Sequence, residues 1–115
     1  MQMIIATRLL KLCGTDPDSG IDIPIRIFAP AKDDTAWFCR YEIDWPEGTA
    51  TMKAWGVDSV QALALALQMI GADIYTSSYH KTGKLTFEAP GRGYGFPVPG
   101  SLRDMLVGDD KLYFA

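Results

Sequence analysis

The chain is poor in the residues that most often carry chemistry. It has one histidine, His80, and two cysteines, Cys13 and Cys39, which lie far apart and form no Cys-x-x-Cys pair. A zinc site therefore lacks its usual ligands, and a disulfide framework is not indicated. Eleven Lys and Arg are scattered singly against 14 acidic residues, for a net charge of −3. Without a basic block to neutralise phosphates, nucleic-acid binding is not expected. The longest clean apolar run, Ala62 to Leu67, falls far short of the roughly 18 residues a membrane helix needs. Thr7, Arg8 and Lys11 interrupt the N-terminal stretch, which so lacks the apolar region of a secretory signal. The expectation is a cytoplasmic protein with reduced cysteines, no membrane contact and no cofactor.

What is present suits a packed core. Apolar residues make up 48% and charged residues 22% of the 115, close to globular averages. With no repeat, linker or low-complexity tract, residues 1–115 read as a single domain. Strand-like alternation runs over Ile4–Leu12 and, more sharply, over Ile21–Phe28, where Ile21, Ile23, Ile25 and Ile27 share a face. Pro24 cannot donate to a ladder, which places that strand at an edge or Pro24 near its start. Ala36–Asp44 alternates again, with Trp37, Cys39, Tyr41 and Ile43 inward and Phe38, Arg40, Glu42 and Asp44 outward. Thr49–Trp55 follows a tight turn, and Lys84–Ala89 is a fifth candidate. Short connections favour an antiparallel meander.

The clearest signal begins at Gly56. Asp58 is a good N-cap, Gln61 stands where a capping box places it, and an Ala/Leu run follows. The predicted helix runs from Asp58 to about Ser78, with Val60, Leu63, Leu67, Ile70 and Ile74 as its buried stripe. Gly71 falls on the buried side, so it reads as a notch for close backbone approach rather than as a C-cap. Near the C-terminus, Ser101 looks like the cap of a short helix ended by Gly108-Asp109-Asp110, with Leu112-Tyr113-Phe114 extended. The fold class is thus α+β in two layers: a mostly antiparallel sheet of four or five strands, packed by one long helix, plus a short C-terminal helix. The expected core is Ile23, Ile25, Ile27, Trp37, Cys39, Tyr41, Ile43, Val60, Leu63, Leu67, Ile70 and Ile74.

No cluster assembles an active site, and no residue is assigned a catalytic role. Asp16-Pro17-Asp18-Ser19-Gly20-Ile21-Asp22 spaces its carboxylates like a calcium loop. It lacks the ligands at the fifth and twelfth positions and the Gly at the sixth, and reads as a turn. Gly91-Arg92-Gly93-Tyr94-Gly95-Phe96-Pro97-Val98-Pro99-Gly100 could cradle an anion with backbone N–H groups, Arg92 supplying charge, but it has no Lys-Ser/Thr and two prolines remove donors. A pocket between this loop and the sheet would draw on Arg92, Tyr94 and His80. Asp22, Arg26, Arg40, Glu42 and Lys53 suit cross-strand ion pairs on a solvated sheet face. On the back of the helix, Leu65 and Met69, flanked by Gln61 and Gln68, are more apolar than an exposed face requires, so the C-terminal segment or another subunit should cover them.

The order of Ala6-Thr7-Arg8, the Ile-rich strand ending at Ala29-Pro30, Trp37-x-Cys39-x-Tyr41-x-Ile43, Gly56-x-Asp58-Ser59-x-Gln61-Ala62-Leu63 and Gly95-Phe96-Pro97 resembles a family of small bacterial proteins of unknown function. The resemblance implies a bacterial protein and carries over no activity. The leading functional reading is a non-enzymatic interaction or scaffold module, as a homodimer or with a protein partner, of which an immunity-type or antitoxin-like protein is one form. The alternative is a small anionic-ligand binder or minor enzyme using the Gly91–Gly100 loop.

Overall fold

A computed structural model describes residues 2–14 and 19–114 of the chain. Asp16, Pro17 and Asp18 of the calcium-like turn lie outside the described residues. The strands are β1 (Ile4–Leu12), β2 (Ile21–Phe28), the two-residue β3 (Ala31–Lys32), β4 (Trp37–Trp45), β5 (Gly48–Gly56) and β6 (Leu85–Thr86). The helices are α1 (Ser59–Tyr75), the single-turn α2 (Ser78–Lys81) and α3 (Gly108–Phe114), with a 3₁₀ segment over Gly100–Met105. All described strand pairings are antiparallel. β5 runs along the whole of one edge of β4, and β2 and β3 share the other. β1 lies beyond β2, and β6 touches β1 only at Lys11 and Leu12.

The α+β two-layer architecture expected from the sequence is what the chain forms, with differences that have physical causes. β2 is a central strand, yet Pro24 is tolerated because β4 pairs with β2 only from Ile25 onward; at Pro24 the strand has β1 alone beside it, opposite Leu9. The fifth strand shrinks to Leu85–Thr86, since the chain then turns through Glu88 at positive φ. α1 stops at Tyr75, where the Thr76 N–H still bonds Ala72 but the Ser77 N–H bonds Ile74 in a tighter turn, so the helix does not reach Ser78. Gly108-Asp109-Asp110 starts a helix rather than ending one, and Leu112-Tyr113-Phe114 is helical, not extended.

The start of α1 follows the capping logic: Asp58 Oδ1 accepts from the Gln61 N–H at 2.8 Å, and Gln61 Oε1 accepts from the Val57 N–H at 2.7 Å. The helix buries Ala62, Ala66, Ile70, Gly71, Ile74 and Tyr75. Alanines bring its axis close to β4 and β5, and this rotates the stripe away from Val60, which is 73% exposed rather than in the core. Leu63, Leu67 and Trp37 are half-buried and pack against the core instead of lying within it. The sheet supplies Ile23, Ile25, Ile27, Cys39, Tyr41 and Ile43 as expected from alternation, and Leu10 of β1 in addition. Burial raises the pKa of the Cys39 thiol, whose Sγ donates to the Phe28 carbonyl. On the opposite face, Arg26 pairs with Glu42 and Asp44 at 3.1 and 2.6 Å, and Arg40 with Glu42 at 3.3 Å. Arg26 holds the Asp44 carboxyl down at about 2.

Gly71 is the notch the pattern suggested. A Cβ there would collide with the carbonyl oxygen of Pro97, so the absence of a side chain lets the late loop cross the helix.

Candidate functional site

Beyond Thr86 the chain has little regular structure, and it must still cover the β1–β6 end of the sheet that α1 does not reach. It does so with a polar clamp. Asp110, in the first turn of α3, is 1% exposed. Its Oδ2 accepts from the Tyr94 N–H at 2.8 Å and from the Tyr75 hydroxyl at 2.5 Å, and its Oδ1 accepts from the Gly95 N–H at 2.7 Å. A buried carboxylate is stable only with such a set of donors. From the other side, Arg8 Nη1 donates to the carbonyls of Tyr94 and Gly95 at 2.9 and 3.1 Å. The main chain at 94–95 is thus gripped by a cation on its oxygens and an anion on its N–H groups, aligned with its own dipoles. Gly95 sits at φ 80°, and a Cβ there would strike the Arg8 guanidinium; no other residue type suits both demands.

Aromatic rings fill the space around this clamp. Tyr75 meets Tyr94 edge-on at 5.3 Å and His80 at 4.8 Å. His80 Nδ1 lies 2.6 Å from the Tyr94 hydroxyl, which in turn donates to the Leu85 carbonyl at 3.2 Å. With the hydroxyl proton committed there, His80 Nδ1 is the donor in that contact. Burial lowers the pKa of His80. It pushes Tyr94 up to about 12, with the charge of Asp110 adding to the shift. Both groups are therefore neutral near pH 7 and act as a hydrogen-bonded strut rather than an acid–base pair.

Of the three loop residues singled out from the sequence, the fold brings His80 and Tyr94 together and leaves Arg92 apart. Arg92 is exposed and pairs with Asp109 at 3.0 Å and Glu88 at 3.6 Å. The loop does cradle an anion, but the anion is the chain's own: the N–H groups of Tyr94 and Gly95 both face Asp110. On the back of α1, Leu65 is 37% exposed. Met69 packs against the core, Gln68 is half-buried, and Gln61 is occupied in the cap. Arg8 and Asp110 were not singled out. Arg8 carried a signal, since alternation puts it on the same face as Leu10; Asp110 follows a glycine and another acid, an acidic first helical turn.

Two further features flank the clamp. Beside it runs a groove of about 320 Å³, walled by β1, α1, the 95–97 loop and Phe114. Above it, the outer edge of β1 from Ile4 to Leu10 has no main-chain partner among the described residues, because β6 pairs only with Lys11 and Leu12. Ile4, Ile5 and Leu9 on this strand are 46%, 47% and 54% exposed. Among the described residues no group of three or more His, Cys, Asp or Glu side chains could hold a metal ion, and no helix is long and apolar enough to cross a membrane.

This α+β sheet-and-helix unit, with its clamped late loop, is assigned by comparison with known families. The chain belongs to the family DUF6968, described as a domain of unknown function, which matches residues 6–98. The match takes in Arg8, His80, Tyr94 and Gly95 and stops short of Asp110. No curated protein and no solved structure matches the chain.

Proposed function

We propose that the chain is a non-enzymatic interaction module that pairs with a second copy of itself along β1. The observation that carries this reading is the open edge of β1, which exposes unpaired backbone groups together with Ile4, Ile5 and Leu9. A long apolar edge is a template for another strand unless it is blocked. The blocking devices seen on edges are sparse here: no proline stands in β1, and Arg8 is turned into the clamp. The bulge at Ile5 interrupts the ladder to β2, on the other edge of the strand.

The edge is also self-complementary. An antiparallel register centred on Thr7 sets Ile5 opposite Leu9 of the partner subunit, and Ala6 opposite its Arg8, so apolar side chains meet and no like charges face one another. A cytoplasmic setting and a bacterial source accord with this reading without being needed for it.

Light scattering coupled to size exclusion tests the pairing. The wild type should elute at twice the monomer mass. A variant carrying Ile5→Lys and Leu9→Lys, and another carrying Ile5→Glu and Leu9→Glu, should each be folded monomers. Mixed, they should form a heterodimer, because every facing pair then joins opposite charges. A monomeric wild type, or lysine and glutamate variants that remain dimers on their own, would overturn the reading. A heterologous partner of the immunity or antitoxin kind would then be the remaining form of interaction module.

A further inference from the structure

We propose that the groove beside Arg8 binds a small monocarboxylate with an apolar tail, the carboxylate on Arg8 and the tail against the sheet. This goes beyond strand pairing and does not depend on it. The groove lies on the helix side of the sheet, whereas the pairing runs along the main chain of β1.

The groove is walled by Ile27, Leu67, Phe96, Pro97 and Phe114, and Arg8 is its one charged side chain. Ala6 shows that it is open: it stands opposite Ile27 in the ladder, on the core-facing side, yet is exposed. A neighbour of that kind in a finished core would be covered. The volume, about 320 Å³, reaches the lower end of small-ligand sites.

Arg8 has capacity left. Only Nη1 is bonded, to two neutral carbonyls, and no carboxylate lies within ion-pair distance of Arg8 among the described residues. Its guanidinium carbon rests 4.5 Å from the Phe87 ring centre and 5.0 Å from that of Phe96. These rings hold it at the mouth of an apolar space while Nε and Nη2 keep donors for a planar, two-oxygen acceptor. A carboxylate fits that fork.

The charge of the ligand follows from what surrounds the site. A dianion such as phosphate needs several donors or a second cation. Here Pro97 has no N–H, the N–H groups of Tyr94 and Gly95 are spent on Asp110, and Asp110 adds negative charge behind them. One cation with apolar walls selects a monoanion whose remainder is hydrocarbon.

Titration with octanoate tests the proposal, followed by calorimetry and by chemical-shift changes of labelled protein. Octanoate should bind saturably and shift signals of Ile27, Leu67 and Phe96. Octanol and octylamine should bind at least about tenfold more weakly, since they lose the charged contact, and acetate should fail for want of a tail. Arg8→Gln should lose about tenfold or more. Because Arg8 also clamps the loop, Ala6→Phe provides a second variant: it fills the groove and leaves Arg8 in place, and it too should abolish binding. Octanol binding as well as octanoate, an Ala6→Phe variant that binds like wild type, or no saturable shifts in the groove up to millimolar octanoate would each overturn the proposal.

Discussion

The two ends of this sheet are closed by different means. Over β2, β4 and β5 the cover is a regular helix, and the contacts are mostly apolar: Ile25, Ile43, Ala62, Ala66, Ile70 and Ile74 are all 0% exposed. A polar contact also crosses the layer, the Tyr41 hydroxyl donating to Asp73 Oδ2 at 2.5 Å. Over β1 and β6 the cover is an irregular loop and two short helical turns. What holds them is Arg8 and Asp110 acting on the backbone of Tyr94 and Gly95, with the Tyr75 hydroxyl donating to Asp110 and accepting from the Val107 N–H. A helix satisfies its own backbone groups and can present a purely apolar face, whereas an irregular segment brings unsatisfied N–H and C=O groups that need charged or hydroxyl partners when buried. Among the described residues each end keeps an open strand edge, that of β5 at the apolar end and that of β1 at the polar end. The groove beside Arg8 lies at the polar end, and the proposed binding properties both reside there.

Substitutions should separate the two ends. The largest effect is expected from Ile70→Ala, which opens a cavity in the apolar half and should cost about 2–5 kcal/mol, read as a fall in the denaturant midpoint of the whole unit. Asp110→Ala comes next, at about 2–4 kcal/mol. It strands the Tyr75 hydroxyl and two N–H groups, and its damage should concentrate over residues 91–114. Gly95→Ala, forced to φ 80° with its Cβ against the Arg8 guanidinium, should cost at least about 1–2 kcal/mol by the strain of a left-handed backbone and the displacement of Arg8. Asp58→Ala removes the α1 cap and should cost about 1 kcal/mol, confined to the helical half. In both of these, thermal unfolding gives the measure.

The smallest effects are in pH dependence, and the two ends should respond in different windows. Asp44, on the outer face of the apolar half, titrates at about 2 when folded against 3.8 as its ordinary value, because Arg26 bonds its charged form. Its stabilisation is present in full above pH 3.8 and is lost as pH falls through about 2. Asp44→Asn should flatten that acid limb. His80, in the polar end, has its pKa lowered from 6.5 by burial. The unfolded chain therefore takes up the proton first, and stability declines as pH falls below 6.5. His80→Gln should remove that shallow slope and leave the Asp44 limb intact, as followed by urea midpoints across pH.

The apolar end was largely legible in the sequence and the polar end largely was not. Alternation of Ile23, Ile25 and Ile27, and of Cys39, Tyr41 and Ile43, identifies both strands and their inward faces, because period-two patterning is what a half-buried sheet requires. Asp58 marks the helix start through a local bond. The rotation of α1 was hidden, since Ala62 and Ala66 carry little hydrophobic weight although their small size is what brings the helix down on the sheet. The clamp was hidden for a different reason. Arg8 and Asp110 act on main-chain atoms of Tyr94 and Gly95, and no side-chain pattern records which backbone groups will need partners. Gly71 was readable as a notch, but not that Pro97 fills it.

Hydrogen exchange on Asp110→Asn, compared residue by residue with wild type, tests the division most directly. The account expects amides of the 91–114 region to lose protection while those of α1, β2 and β4 keep theirs. Loss spread evenly over both ends, or none at all, would contradict it.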